Sequence, residues 1–184
     1  MTVRSILLFG EPVLRKVCKP VTEMTPRIIT LLDDLKDTLY AEPGRAGLAA
    51  PQIGLLRRVV VMDINDGAGL REFINPEIVE ADGEQEGMEG CLSLPNYYGS
   101  VKRRGYVKVR HMGRNGEELW TEAEGLLAVC IQHELDHLDG ILFIDRMTDP
   151  LLIHDKTGQY MNRADAIKQA NSAVCNWKPP YELS

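Results

Sequence analysis

The chain has 184 residues, of which 44% are hydrophobic and 26% charged, a composition that suits one compact domain over 1–184 and excludes wholesale disorder or a fibrous class. A formal charge of −6 argues against a broad nucleic-acid-binding surface. The longest apolar runs, 125–131 and 59–62, fall far short of the ~20 residues that span a bilayer, and the apolar stretch at 6–10 is cut short by Glu11 and Pro12, so no membrane partner is expected and the protein is read as cytoplasmic.

Along the chain, the first helix signal is Thr25-Pro26, with proline where its missing N–H costs nothing, followed by Ile28, Leu31, Leu32, Leu35 and Leu39 at helical spacing. Pro43-Gly44 stops it. Residues 58–64, 72–79 and 104–111 are β-rich, and the run 117–121 follows an Asn115-Gly116 turn, so it pairs with 104–111 as a hairpin. Thr121 and Glu124 fit a capping box for a second helix, which Gly140 ends. At about 100° per residue, its Leu126, Val129, Cys130, His133 and His137 share one face, while Gln132, Asp136 and Asp139 fall on another. A third helix is expected over 162–175, with Ala164, Ile167, Ala170 and Val174 as its stripe, then an extended tail over 176–184 around Pro179-Pro180. Helices that do not alternate with strands predict an α+β fold. Small antiparallel or mixed β-sheets would pack around the central second helix, with an N-terminal and a C-terminal helix. The cysteines Cys18, Cys91, Cys130 and Cys175 form no Cys-x-x-Cys pair, so no disulfide framework is expected. Arg57-Arg58 and Lys102-Arg103-Arg104, the basic clusters, read as solvated strand ends.

His133-Glu134-Leu135-Asp136-His137 is an H-E-x-x-H pattern on the second helix. Histidines four apart stand one turn apart on one face, so both imidazoles reach one ion, and Glu134 stands beside it without having to bind. A lone histidine on an apolar helical face is more often a satisfied core residue than a ligand. Two neutral imidazoles buried side by side would each need hydrogen-bond partners, whereas one metal satisfies both, which favours the ligand reading. A catalytic metal site takes three protein ligands and keeps an open position. For the third ligand, Cys91 in the bendable stretch Glu89-Gly90-Cys91-Leu92-Ser93 is the best candidate. Cys130 is its rival on the histidine face, although three residues before His133 it fits a pocket wall better. His154 has no ligand pattern around it, and Glu122 and Glu124 are better explained by the helix cap. On these residues alone, a metallohydrolase, a peptidase cutting internal bonds and a non-catalytic metal-binding protein all stay open.

Three stretches together, Gly47-Leu48-Ala49-Ala50-Pro51-Gln52, Glu89-Gly90-Cys91-Leu92-Ser93 and Gln132-His133-Glu134-Leu135-Asp136-His137-Leu138, resemble the signature motifs of the peptide deformylase family in order and spacing. The likeness runs from about Ile6 to Met147, includes the helix from Thr25 and the run Phe73-Ile74-Asn75-Pro76, and fades beyond. It implies that Cys91, His133 and His137 hold one divalent metal ion, with Fe2+ favoured and Zn2+, Ni2+ or Co2+ as substitutes. It implies Glu134 as the general acid/base, a role that a pKa raised by burial would help, and Gln52 with the Leu92 amide as oxyanion donors. It further implies that the Gly47 carbonyl contacts the substrate backbone and that Ala46, Glu89, Leu126, Val129 and Cys130 line a methionine pocket. Asp136 would orient a ligand histidine or the loop, or else remain a solvated helix residue. The implied substrate is the N-formyl group on the initiator N-formylmethionine of nascent polypeptides, released as formate. A soft thiolate ligand is unusual for peptidases. The chain departs from the family pattern at Arg45, where glycine is usual, and at Tyr97 and Tyr98, where some members carry arginine. Some relatives dock on the ribosome through a basic C-terminal helix. Here Lys156, Arg163, Lys168 and Lys178 are offset by Asp149, Asp155, Asp165 and Glu182, so the tail charge does not support even a transient ribosome contact.

Overall fold

The computed structural model describes residues 2–168. In chain order its regular elements are α1 (Pro26–Tyr40), β1 (Gly47–Ala49), β2 (Val59–Met62), β3 (Arg71–Asp82), β4 (Gln85–Cys91) and β5 (Leu94–Arg103). They continue with β6 (Tyr106–Met112), β7 (Glu118–Glu124), α2 (Gly125–Leu138), α3 (Phe143–Arg146), β8 (Leu151–His154) and β9 (Tyr160–Asn162). The strands form a five-stranded sheet in the order β1-β2-β3-β6-β7 and a four-stranded sheet in the order β4-β5-β8-β9. Neighbouring strands in both run antiparallel. The architecture is α+β, as expected.

Helix α1 starts at the Thr25-Pro26 pair and buries the stripe Ile28, Leu31, Leu32, Leu35 and Leu39. Strand β2 shows how the larger sheet is covered on both faces, because all four of its residues are buried. Side chains alternate across a strand, so Val59 and Val61 join the cluster under α1, while Val60 and Met62 join the cluster under α2. Each such side chain taken fully out of water is worth about 1.5–3 kcal/mol. Strand β3 is irregular at Asn75-Pro76, where its register with β6 slips between Ile74 and Glu77, since proline has no N–H for the ladder. Asn75 takes φ +50° and reads the Val21 backbone with both ends of its amide, at 2.8 and 2.7 Å.

The expected hairpin is present as β6 and β7, but it is longer than expected, and this overturns the capping box. Pairing continues to Tyr106↔Glu124, and the Thr121 hydroxyl lies 3.0 Å from His111 Nε2. The helix α2 therefore begins at Gly125, with Glu124 as an N-cap that makes no side-chain hydrogen bond. Its first turn is open to solvent at Leu126, whereas residues 130–138 are buried all round, including Gln132 and Asp136 from the face expected to be polar. The cause is position: α2 lies between the larger sheet and the β4-β5 hairpin. Gly140 ends it at φ +71°, and a Cβ there would stand 2.7 Å from the Arg15 backbone.

None of the four strands of the smaller sheet is among the runs expected from the sequence. The segment 85–91 has no apolar alternation, and β5 turns Arg103 inward beside Tyr97 and Val101. A separate core of Phe9, Leu14, Leu94, Tyr97, Phe143 and Leu152 fills the space between this sheet and α3. Helical backbone at 163–168 begins the expected third helix, and the rest of that helix with the tail lies outside the described residues. No helix among the described residues is long and apolar enough to cross a membrane.

Candidate metal centre

Cys91 is the last residue of β4, and the turn Leu92-Ser93 leads straight into β5. Opposite it, α2 presents His133 and His137 one turn apart. The Cys91 Sγ lies 3.3 Å from His137 Nε2, and one ligand atom from each of Cys91, His133 and His137 falls within 4.8 Å of the others. Around a tetrahedral ion, with sulfur at about 2.3 Å and imidazole nitrogen at about 2.0–2.1 Å, ligand atoms stand ~3.5 Å apart, so the cluster fits one ion. His133 Nδ1 is 2.9 Å from Glu89 Oε2. With that N–H donated to the carboxylate, the Nε2 lone pair is left for a metal. One thiolate and two imidazoles suit Zn2+ or Fe2+. Of the two cysteines weighed as third ligand, Cys130 is not in the cluster: its Sγ faces the Ala46 carbonyl at 3.7 Å, and burial pushes its thiol pKa well up. His154 lies on β8 in a T-shaped ring contact with Tyr97.

Glu134 is buried against β1. A Cβ on Gly47 would stand 2.5 Å from Glu134 Oε1 and 2.9 Å from its Cδ, so strand and helix approach this closely only with glycine at 47. The other oxygen, Oε2, has no hydrogen-bond partner among the described residues. Burial pushes the Glu134 pKa up to about 7, against the pull of His133.

Gln52 stands in the short 3-10 turn Ala50–Ile53 that follows β1. Its Oε1 accepts the Ala49 N–H at 2.8 Å, which decides which way the amide points. Nε2 is thereby aimed at Ser93 Oγ, 3.2 Å away, and at Cys91 Sγ, 3.6 Å away. The N-terminal segment ties the two loops together, because the Leu7 N–H donates to the Gln52 carbonyl and the Phe9 N–H to the Ser93 carbonyl, both at 2.8 Å. Leu92 follows Cys91 directly, so its amide belongs to the same turn.

The residues expected around a methionine side chain divide. Ala46 and Cys130 meet, Val129 is half-buried, and Leu126 is 62% exposed at the mouth of α2. Glu89, also expected there, has its carboxylate engaged by other partners. Arg103 grips it at two points, Nε to Oε1 at 2.7 Å and Nη2 to Oε2 at 3.0 Å, while His133 holds it from the other side. Burial works against the charge, yet the Arg103 and His133 hydrogen bonds hold the Glu89 pKa down at about 2. Arg103 also donates to Asp136 Oδ2 at 2.5 Å, and Arg146 donates to the same carboxylate at 2.8 and 3.1 Å. Asp136 is thus neither solvated nor bonded to a histidine; it anchors the arginine.

Arg103, with its side chain 4% exposed, is the residue that sequence reasoning misses, since a solvated strand end is the wrong reading for it. The available signal is the two-residue alternation Tyr97, Gly99, Val101, Arg103, which sends Arg103 to the inner face of β5. On another face of α2 a groove of about 800 Å3 brings the two basic clusters together through Arg58, Lys102, Arg103 and Arg104. Asp139, Glu84 and Asp136 pair with Arg58, Lys102 and Arg103 there, so this is not a bare cationic surface.

Comparison with known proteins agrees with the geometry. The family model described as polypeptide deformylase matches residues 3–151. A peptide deformylase of Agathobacter rectalis is 53% identical over 157 residues, 85% of this chain and 96% of that protein. A peptide deformylase of Carboxydothermus hydrogenoformans is 50% identical over 146 residues, 79% of this chain and 94% of that protein. The crystal structure of a peptide deformylase from Legionella pneumophila superposes with a TM-score of 0.83 at 38% identity, covering 97% of this chain and 100% of that one. Likeness of this degree, over nearly the whole of each partner, leads to one conclusion: the chain belongs to the polypeptide deformylase family, metal-dependent enzymes that remove the N-formyl group from nascent polypeptides.

Proposed function

We propose that Cys91, His133 and His137 hold one divalent metal ion, that Glu134 moves the proton, and that the group removed is the formyl of an initiator N-formylmethionine. The convergence of three ligand atoms within 4.8 Å beside the buried Glu134 carboxylate carries this reading. A divalent cation held there supplies Lewis acidity, which makes water more acidic and polarises a carbonyl.

The chain's own residues do the rest. Glu134, with Oε2 unengaged, takes a proton from the attacking water and delivers it to the departing amine nitrogen. The Gln52 NH2, aimed by the Ala49 N–H, and the Leu92 N–H donate to the oxygen on which negative charge develops. Glu89, gripped by Arg103, keeps His133 in the tautomer that leaves Nε2 for the metal. Ala46, Leu126, Val129 and Cys130, with the stem of Glu89, receive the unbranched thioether side chain, and the Gly47 carbonyl accepts a hydrogen bond from the substrate backbone. Fe2+ is the ion favoured by family resemblance, with Zn2+, Ni2+ or Co2+ as substitutes. We place the reaction in the cytoplasm, where formylated chains are made.

Metal-loaded protein is expected to release formate from formyl-Met-Ala-Ser and to leave Met-Ala-Ser intact. Cleavage inside either peptide, or no formate, overturns the reading. Glu134→Ala is expected to lower turnover by about 10²- to 10⁴-fold with metal content unchanged, as checked by elemental analysis of the same samples.

A further inference from the structure

Arg45, where the family motif usually has glycine, has a side chain only 14% exposed, deeper than a loop arginine needs to be. The guanidinium folds back onto α1. Nη1 donates to the Thr38 carbonyl at 2.5 Å, and Nη2 pairs with Glu42 Oε1 at 3.1 Å. Thr38 is in the last turn of α1, where carbonyls lack helical partners and the helix dipole favours a cation. The helix has no basic residue of its own in that turn.

A second tie holds the same loop from the far side. The Tyr40 hydroxyl donates to Asp63 Oδ2 at 2.7 Å, and the Asp63 N–H donates to the Ala46 carbonyl at 2.9 Å. Between the ties the chain turns through Gly44 at φ +83°. The loop thus delivers Ala46 and Gly47 to a fixed place, Ala46 against Cys130 and Gly47 against Glu134. Strand β1 has three residues and pairs on one side only, so it has little ladder to hold itself.

We propose that Arg45 is a positioning residue for substrate binding: by fastening the loop 41–46 to the end of α1, it fixes the Ala46-Gly47 backbone that meets the substrate. It touches none of the reacting atoms. The inference rests on the proposed function through the substrate-facing role of Ala46 and Gly47.

The test compares wild type, Arg45→Ala and Arg45→Lys by KM and kcat on formyl-Met-Ala-Ser, with amide hydrogen exchange read at Asp63, whose N–H reports the second tie. Arg45→Ala is expected to raise KM about three- to tenfold with kcat within about twofold of wild type, the signature of lost uniform binding, and to speed exchange at Asp63. Arg45→Lys should recover part of the KM change, because an ammonium reaches the Thr38 carbonyl but lacks the guanidinium fork that also holds Glu42. Unchanged KM in Arg45→Ala, or a kcat loss as large as the KM rise, overturns the inference, even if thermal stability falls. If Arg45→Ala does not fold, the same split in Arg45→Lys decides. Formate release by wild type separates the two readings: its absence overturns both, and its presence with unchanged KM overturns this one alone.

Discussion

The two sides of α2 bury charged and polar groups under opposite rules. Toward β1 and the Cys91 turn, the protein leaves such atoms open: Glu134 Oε2 is buried without a hydrogen-bond partner among the described residues, and Cys91 Sγ crowds two imidazoles. Toward the groove, the buried charges are answered. Arg103 grips Glu89 and Asp136, and the half-exposed Arg146 adds a second grip on Asp136. A buried polar atom left unpaired costs roughly 1–3 kcal/mol, so the first side is costly to fold and makes sense only if something outside the chain completes it. The closed side keeps the open side in shape, and Glu89 is where they join, with Arg103 on one edge of its carboxylate and His133 on the other.

Breaking the open side should have the larger effect. Gln52→Ala removes the donor aimed past Cys91, and the loss of one oxyanion donor typically lowers kcat by about 10²- to 10³-fold. KM and metal content should hardly move. The variant also strands the Ala49 N–H that Gln52 Oε1 accepts, so a melt should show about 1 kcal/mol lost. Steady-state kinetics on formyl-Met-Ala-Ser checks the first effect. A kcat within about fivefold of wild type would remove Gln52 from the oxyanion role.

Breaking the junction comes next. Arg103→Met leaves Glu89 buried beside His133 with its main partner gone, and removing one member of a buried charge pair typically costs about 3–5 kcal/mol. For a chain of this size that lowers Tm by about 10 °C. Because Glu89 then holds His133 less firmly, metal affinity measured by chelator competition should fall about 10- to 100-fold. Arg103→Lys keeps the charge but not the two-point grip, so it should regain stability before it regains affinity. Metal affinity equal to wild type in folded Arg103→Lys would mean that the grip contributes stability alone.

The open side was legible in the sequence, and most of the closed side was not. The Cys91, His133 and His137 cluster is legible through residue type, spacing and family motif: His133 and His137 stand one helical turn apart, and Cys91 stands in a glycine-bearing stretch that resembles a family signature. The helix α1 was legible because its apolar positions repeat with the helical period, and β2, β3, β6 and β7 because they are runs rich in β-forming residues, the last pair marked by the Asn115-Gly116 turn. Strand β4 hides because its inward positions include Glu89, which is satisfied by residues 14 and 44 positions away in the chain. A local pattern cannot show a charge whose partner is tertiary. The failed capping box has the same origin. Thr121 and Glu124 carry a valid local signal, but the β6 ladder claims both residues first, since pairing that continues an existing strand outweighs a single cap.

The smallest expected effect tests where the closed side ends. Arg146 has a side chain 47% exposed, and although it binds both oxygens of Asp136, solvent screens the pair and an exposed ion pair is worth at most about 1 kcal/mol. In Arg146→Gln, Asp136 keeps its hydrogen bond from Arg103 Nη1, so Arg103 still has both carboxylates and Glu89 has no reason to move. Tm should fall by about 2–4 °C at most, and metal affinity should stay within about twofold of wild type. A tenfold loss of affinity from this outermost change would mean that the strain passes along Asp136, Arg103 and Glu89 to His133 undiminished, and the two sides of α2 would have to be treated as one coupled unit, tunable from the solvent end.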